Sequence, residues 1–416
     1  MNRWELFQQK SFVVYWLGYL FSAMGDSVFI LVVSWFIVQL TGSGVMMGTF
    51  LLFVGIPRVV MMVLGGSVVD RFSPRMVMLF SDIMRAVILL IVAILYMTGS
   101  LHMPVLLGFG VIFGVVDAFY WPSVTAIRQR IVVESQYPQS NSVLTGTWQI
   151  SAIVGPVLGG ALISLLGFGW CFGVTGMLFF ISAITLFFIK LLPKQSVPDT
   201  AKESKKLLSG MFDGIKFIRQ SPLLLVIITT ALFGNAAMST ITVGLPFLAE
   251  DYQVGAEGLG YMSASLGIGG ILMSVLLSVV IIIKKASPRI MMAVLFFQGM
   301  TILFIGFTQN HWQVAFLIGL IGACGAVLGI FEQSISQSII PPHLMGRVYS
   351  IILVVAQGVT PLAQALSGWL LDVLDVHTIF VIGGPTQMIA AGIAFFLPAV
   401  IYHKEKEKPL GKASTS

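Results

Sequence analysis

The sequence predicts an all-α membrane protein of twelve transmembrane helices in two pseudo-symmetric six-helix bundles, and three observations carry that prediction. Of 416 residues, 57% are hydrophobic and only 10% charged, against about a quarter charged in a soluble domain. Apolar stretches of the ~20 residues that a helix needs to cross a ~30 Å hydrocarbon layer recur twelve times between polar breaks. A polar turn is also written twice, as DRFSPRMVM at 70–78 and KKASPRIMM at 284–292, with the two Ser-Pro-Arg triplets 214 residues apart.

The spans fall at 12–40, 45–69, 76–97, 104–127, 140–166, 171–192, 223–248, 259–283, 290–307, 312–338, 348–374 and 379–402. The first lacks the short apolar region and small-residue cleavage site of a signal peptide and reads as a retained helix. It carries Asp26 in SAMGDS; the second carries Arg58, and the third Asp82 and Arg85, whose spacing reads as a local ion pair. The fourth holds Asp117 in DAFYWPS, beside Tyr120 and Trp121. The fifth holds GPVLGG, with Gly155, Pro156, Gly159 and Gly160. Small residues at this spacing let helices approach closely, and Pro156 weakens the local helix ladder.

The polar run PKQSVPDTAKESKK splits the spans six and six. The expected organisation is an N-terminal bundle (1–192), a cytoplasmic linker with an amphipathic interfacial helix (193–221), a C-terminal bundle (222–402) and a cytoplasmic tail (403–416). In the second half, Asn235 lies in FGNA of the seventh span and Glu332 in the tenth. MGDS pairs with FGNA, IRQRIV with ISQSII, and Pro156 with Pro361, in the same order and at offsets close to that of the repeated turn. These matches argue for a duplicated bundle, the parallel-repeat plan of many secondary transporters.

Of the 23 Lys and Arg, all but Arg58 and Arg85 fall at the chain ends or on the even-numbered connections, so both termini are expected in the cytoplasm. That asymmetry accounts for the net charge of +6 and leaves no reason to invoke nucleic acid. Cys171 and Cys324 form neither a disulfide framework nor a metal site. No Walker loop, HExxH or GxSxG is present, so neither a cofactor nor enzymatic chemistry is implied.

The turn after the second span, with Gly66, Asp70, Arg71 and Arg75 in GSVVDRFSPR, resembles the GxxxDRxGRR motif of the major facilitator superfamily, with Ser73 and Pro74 as departures. GPVLGG is similar to a motif of its drug antiporters. SAMGDS, DAFYWPS and PPHLMGRVYS look most like the bacterial branch holding macrolide efflux pumps and the enterobactin exporter, and FSAMGD is also similar to lysophospholipid flippases. The resemblance implies the major facilitator fold, a membrane-embedded transporter working as a monomer in the cell inner membrane, and a cargo path lined by the first, fourth, seventh and tenth helices. It further implies that Asp70 latches the start of the eleventh helix. A carboxylate at a helix N-terminus contributes about 0.3–1 kcal/mol, up to about 2 when partly buried.

Asp26, Arg58 and Asp117 fall near mid-membrane, where each would cost about 2.5–3.5 kcal/mol facing lipid, so they must face one another or water. One Arg neutralises one carboxylate and leaves the other for proton exchange. Asp26 is the favoured partner of Arg58, because their helices are sequential, and Asp117 the favoured proton carrier. Glu332, Asn235, Tyr120 and Trp121 are a candidate cargo or proton site, with Phe29, Phe119, Phe233 and Phe331 as further aromatic walls. The expected activity is proton-coupled efflux of a bulky amphiphilic small molecule. The alternatives are an importer or uniporter, a lipid flippase and, last, a polytopic membrane enzyme.

Overall fold

The structure, a computed structural model, describes residues 5–189, 213–279, 287–341 and 344–401, with backbone alone for residue 5 and residues 63–71. The membrane helices are α1 (Lys10–Thr41), α2 (Gly44–Arg71), α3 (Pro74–Met97) and α4 (Met103–Arg128), then α5 (137–166) and α6 (168–187). After the linker follow α7 (Pro222–Asp251), α8 (Gly255–Val279), α9 (Pro288–Ile305), α10 (His311–Ile339), α11 (Met345–Val373) and α12 (Val376–Phe395). No strand occurs among the described residues. A helix satisfies its backbone internally, which hydrocarbon demands of any spanning segment.

Among the described residues, eleven helices are long and apolar enough to cross a membrane, and one of them is two crossings. The 51 residues of Tyr137–Phe187 would reach about 76 Å as one helix, more than twice a hydrocarbon core. At Gly167 the backbone leaves the helical region (φ 77°, ψ 173°), a conformation that favours glycine. The chain reverses there. Gly155 and Gly159 approach Ser27 and Leu31 of α1, in parallel sequence order, whereas Gly25 and Gly18 of α1 approach Phe179 and Leu186, in antiparallel order. The sequence-predicted break between 166 and 171 is therefore a single-residue turn.

The two halves pack alike. In the first, α1 lies on α5 and α6, α3 on α6, and α2 on α4; in the second, α7 lies on α11 and α12, α9 on α12, and α8 on α10. The bundles meet along α2/α11 and α5/α8. α1 is enclosed over most of its length, as expected of a helix apolar all round. α3 is two-faced: Phe80, Val87, Leu90, Ile91 and Ile94 point outward, while Ser81, Asp82, Arg85 and Leu89 are buried.

Among the described residues, hydrogen bonds between the bundles gather at the end away from the chain termini, here called distal. Gln39 donates to Glu250 (2.5 Å), Ser43 donates to Asp372 (2.7 Å), and the Gly44 amide at the start of α2 donates to the same Asp372 carboxylate. Glycines bring the backbones together beneath these bonds: a Cβ on Gly44 would stand 2.5 Å from the Gly368 carbonyl, and one on Gly160 2.5 Å from that of Ala256.

Candidate functional site

Four helices of the N-terminal bundle bring three carboxylates and two guanidiniums together. α1 supplies Asp26, α2 Arg58, α3 Asp82 and Arg85, and α4 Asp117. Arg85 is fully buried and central. Its Nη2 donates to Asp82 Oδ1 at 2.6 Å, and its Nη1 to Asp26 Oδ1 at 3.0 Å and Asp117 Oδ1 at 3.3 Å. The rings of Tyr120 and Phe179 lie over its guanidinium, at 4.3 and 4.5 Å, cation–π contacts in a water-poor setting. Ser22 and Ser182 donate to Asp82 at 3.1 and 2.6 Å. Arg58, with a side chain 36% exposed, reaches Asp117 Oδ2 through Nε at 3.1 Å.

This geometry corrects two sequence-based expectations. Arg58 pairs with Asp117 and not with Asp26, because α2 packs on α4 and touches α1 far less. Asp82 and Arg85 are more than a local pair, since Arg85 also binds carboxylates from α1 and α4. Their signal was available in the sequence: Arg85 stands near the middle of its span, like Arg58, but its acid three residues away offered a sufficient partner.

Asp26, Arg58 and Asp117 border a cavity of about 190 Å³, whose far wall is Gln357, Thr360 and Gln364 of α11. A second, apolar lobe of about 250 Å³ lies between α1, α5, α7 and α8, lined by Leu31, Ile241, Leu245 and Leu266. Ile30, Ser34, Trp148 and Thr242 border both lobes. Trp121 lines the charged lobe and meets Trp148 edge-on at 5.0 Å. Tyr120 does not reach the cavity: it is 1% exposed, its ring occupied by Arg85. Phe29 borders the charged lobe and stacks on Phe113 at 4.2 Å, whereas Phe331 is core.

Glu332 and Asn235 line a separate recess in the C-terminal bundle, with Thr230, Met291 and Gln298; Asn235 donates to the Ala231 carbonyl. The helix-5 motif sits where α5 meets both α1 and α8. A Cβ on Gly155 would stand 2.5 Å from Ser27 Cβ, and the Pro156 carbonyl packs against Gly260. Of the loop motif, the side chains of Gly66, Asp70 and Arg71 lie outside the described residues. Arg75 donates to the Ile189 carbonyl at 3.1 Å and to that of Phe187, closing the C-terminal end of α6 with a cation. The second copy of the turn, at 284–286, and the linker up to 212 also lie outside the described residues. Residues 213–220 are helical, with Asp213 3.3 Å from Arg347.

A twofold-repeated helical membrane bundle with a central two-lobed cavity is the architecture of a transporter. The sequence pattern of the Major Facilitator Superfamily matches residues 15–363, and the chain belongs to that family. Among similar proteins, the multidrug efflux pump Tap of Mycolicibacterium fortuitum is 24% identical over 385 residues, covering 90% of this chain and 92% of its own. Macrolide efflux protein A of Streptococcus pyogenes is 22% identical over 402 residues (92% and 94%), and the enterobactin exporter EntS of Shigella flexneri 24% over 298 (69% and 67%). The crystal structure of the nucleoside transporter NupG superimposes with a TM-score of 0.73 at 16% identity, over 97% of this chain and all of that one. A bacterial homologue of the lysosomal transporter Spinster, inward-facing and unoccupied, gives 0.67 at 13% identity (94% and 96%).

Proposed function

We propose that this chain is a secondary active transporter that exports a bulky amphiphilic small molecule by alternating access, driven by protons exchanged within the Asp26, Asp117 and Arg58 group. One observation supports the coupling above all. Three carboxylates face two guanidiniums beside a cavity, so the group carries one negative charge more than its cations balance, and one proton makes it neutral. Isolated charge is costly at membrane depth, which ties the group's stability to proton occupancy. A proton crossing with the potential gains about 2.3 kcal/mol per 100 mV.

The two lobes suit an amphiphile. Its apolar body fits the lobe between α1, α5, α7 and α8, and its polar groups face Gln357, Gln364 and the charges. Trp121 and Trp148 supply flat apolar surface, and Glu332 with Asn235 offers a second polar contact for cargo in the other half. The efflux names of Tap, macrolide efflux protein A and EntS favour export. With both termini in the cytoplasm of a cell-membrane protein acting as a monomer, the closed distal end faces outward and the cavity is reached from inside.

The reading is tested with ethidium and erythromycin as probes, in inside-out vesicles acidified within. Wild type accumulates at least one probe, a protonophore collapses the accumulation, and Asp26→Asn lacks it. Accumulation unchanged by removing the proton gradient would sink the coupling.

A further inference from the structure

Within the proton-coupled reading, on which this inference rests, the contacts distribute roles unevenly among the three carboxylates. Asp82 is saturated: it takes Arg85 Nη2 and two serine hydroxyls, and it is fully buried away from the cavity. Asp117 has two cations, Arg85 on Oδ1 and Arg58 on Oδ2. Asp26 has one contact, through Oδ1, with an Nη1 that it shares with Asp117. It also borders the charged lobe. Its Oδ2 has no hydrogen bond among the described residues.

We propose that Arg85 is the positioning residue of the proton site: it holds Asp82 as its fixed counter-ion and divides Nη1 between Asp26 and Asp117, so that Asp26 exchanges the proton through Oδ2. Asp117 remains bound by its two guanidiniums. The step is a proton transfer between cavity water and Asp26 Oδ2, with no other bond made or broken. With Asp26 protonated, Asp82 and Asp117 balance Arg85 and Arg58. The titratable and charged groups around Asp26 are Tyr19 on its own helix, Arg58 on α2, Asp82 and Arg85 on α3, and Asp117 and Tyr120 on α4. α6 contributes Phe179 and Ser182, and α7 and α11 contribute only neutral groups across the cavity, Thr242, Gln357 and Gln364. The aromatic faces on Arg85 fix the plane of the fork, and a lysine cannot reproduce a planar fork.

The test needs no cargo. Infrared difference spectra of the purified full chain in nanodiscs, recorded across pH, report the C=O stretch of a protonated buried carboxyl. Wild type should show one such band that disappears as pH rises; Asp26→Asn should lack it, and Asp117→Asn, which removes the surplus negative charge, should keep it with its midpoint moved to lower pH. Arg85→Lys should keep the band but displace its midpoint by about one pH unit, whereas Ser182→Ala, which removes hydroxyl bonds to Asp82 and to the Gly18 carbonyl but none to Arg85 or Asp26, should leave the midpoint in place. Folding of every variant is checked by its elution profile and thermal unfolding. Should Arg85→Lys fail to fold, Tyr120→Leu, which frees one face of the guanidinium, takes its place and should also displace the midpoint. A band that survives Asp26→Asn and vanishes in Asp117→Asn would overturn the assignment while leaving proton coupling intact. A midpoint unmoved in the Arg85 or Tyr120 variant would reduce Arg85 to a structural role. The absence of any titrating band in wild type would remove the proton-coupled reading itself.

Discussion

The third and sixth helices of each half meet around a buried polar side chain, but the two halves fill that place with different chemistry. In the N-terminal bundle it is Arg85 of α3, with Ser182 of α6 bound to its partner Asp82. In the C-terminal bundle it is Gln298 of α9, which accepts from Gln387 of α12 at 2.8 Å and donates to the Ile321 carbonyl at 3.2 Å. Gln387 also reaches the Leu295 carbonyl at 3.0 Å. A neutral amide pair serves to join helices; a guanidinium among three carboxylates also stores a charge imbalance. Duplication supplied one architecture twice, and among the described residues the buried cluster of paired charges lies in one copy.

Five single substitutions and one double would break or sharpen that contrast. The largest effect is expected on coupling: Asp26→Asn should abolish proton-driven transport, whereas Glu332→Gln in the other half should change probe preference and leave proton movement in place. Proton flux and probe uptake, measured in the same vesicles, check both. Next is stability. Arg85→Gln leaves buried carboxylates without their cation and should cost about 3–5 kcal/mol, while Gln298→Leu, which strands only neutral groups, should cost about 1–3 kcal/mol. Thermal unfolding in one detergent orders the two. Replacing Gln298 and Gln387 together by Leu should be close to neutral, since both partners leave at once and the Gln387 Oε1 already has no hydrogen bond; a cost above that of the single substitution would contradict this. Ser182→Ala, which removes one charge-assisted bond to Asp82, should cost about 1.5–3 kcal/mol at most, less than Arg85→Gln, with transport retained.

Most of the fold was legible in the sequence because hydrocarbon imposes a length and a composition on every crossing. The twelve spans, the six-and-six division and the break before residue 171 all follow from that constraint. The site was legible in part. Asp26, Arg58 and Asp117 stand out as charges at membrane depth, and they do converge. Their pairing was not readable, because adjacency along the chain differs from adjacency in the bundle: α1 lies on α5 and α6, while α2 lies on α4. Tyr120 and Trp121 show the same limit. They are neighbours in sequence, yet one stacks on Arg85 and the other lines the cavity, a difference set by helical rotation of about 100° per residue.

Trp148 borders both lobes of the cavity and touches Trp121. With the other six tryptophans of the chain's eight replaced by phenylalanine, this pair would serve as a built-in optical reporter. A molecule entering either lobe changes the polarity around the Trp148 indole, so emission colour and quenching would register occupancy without any attached dye.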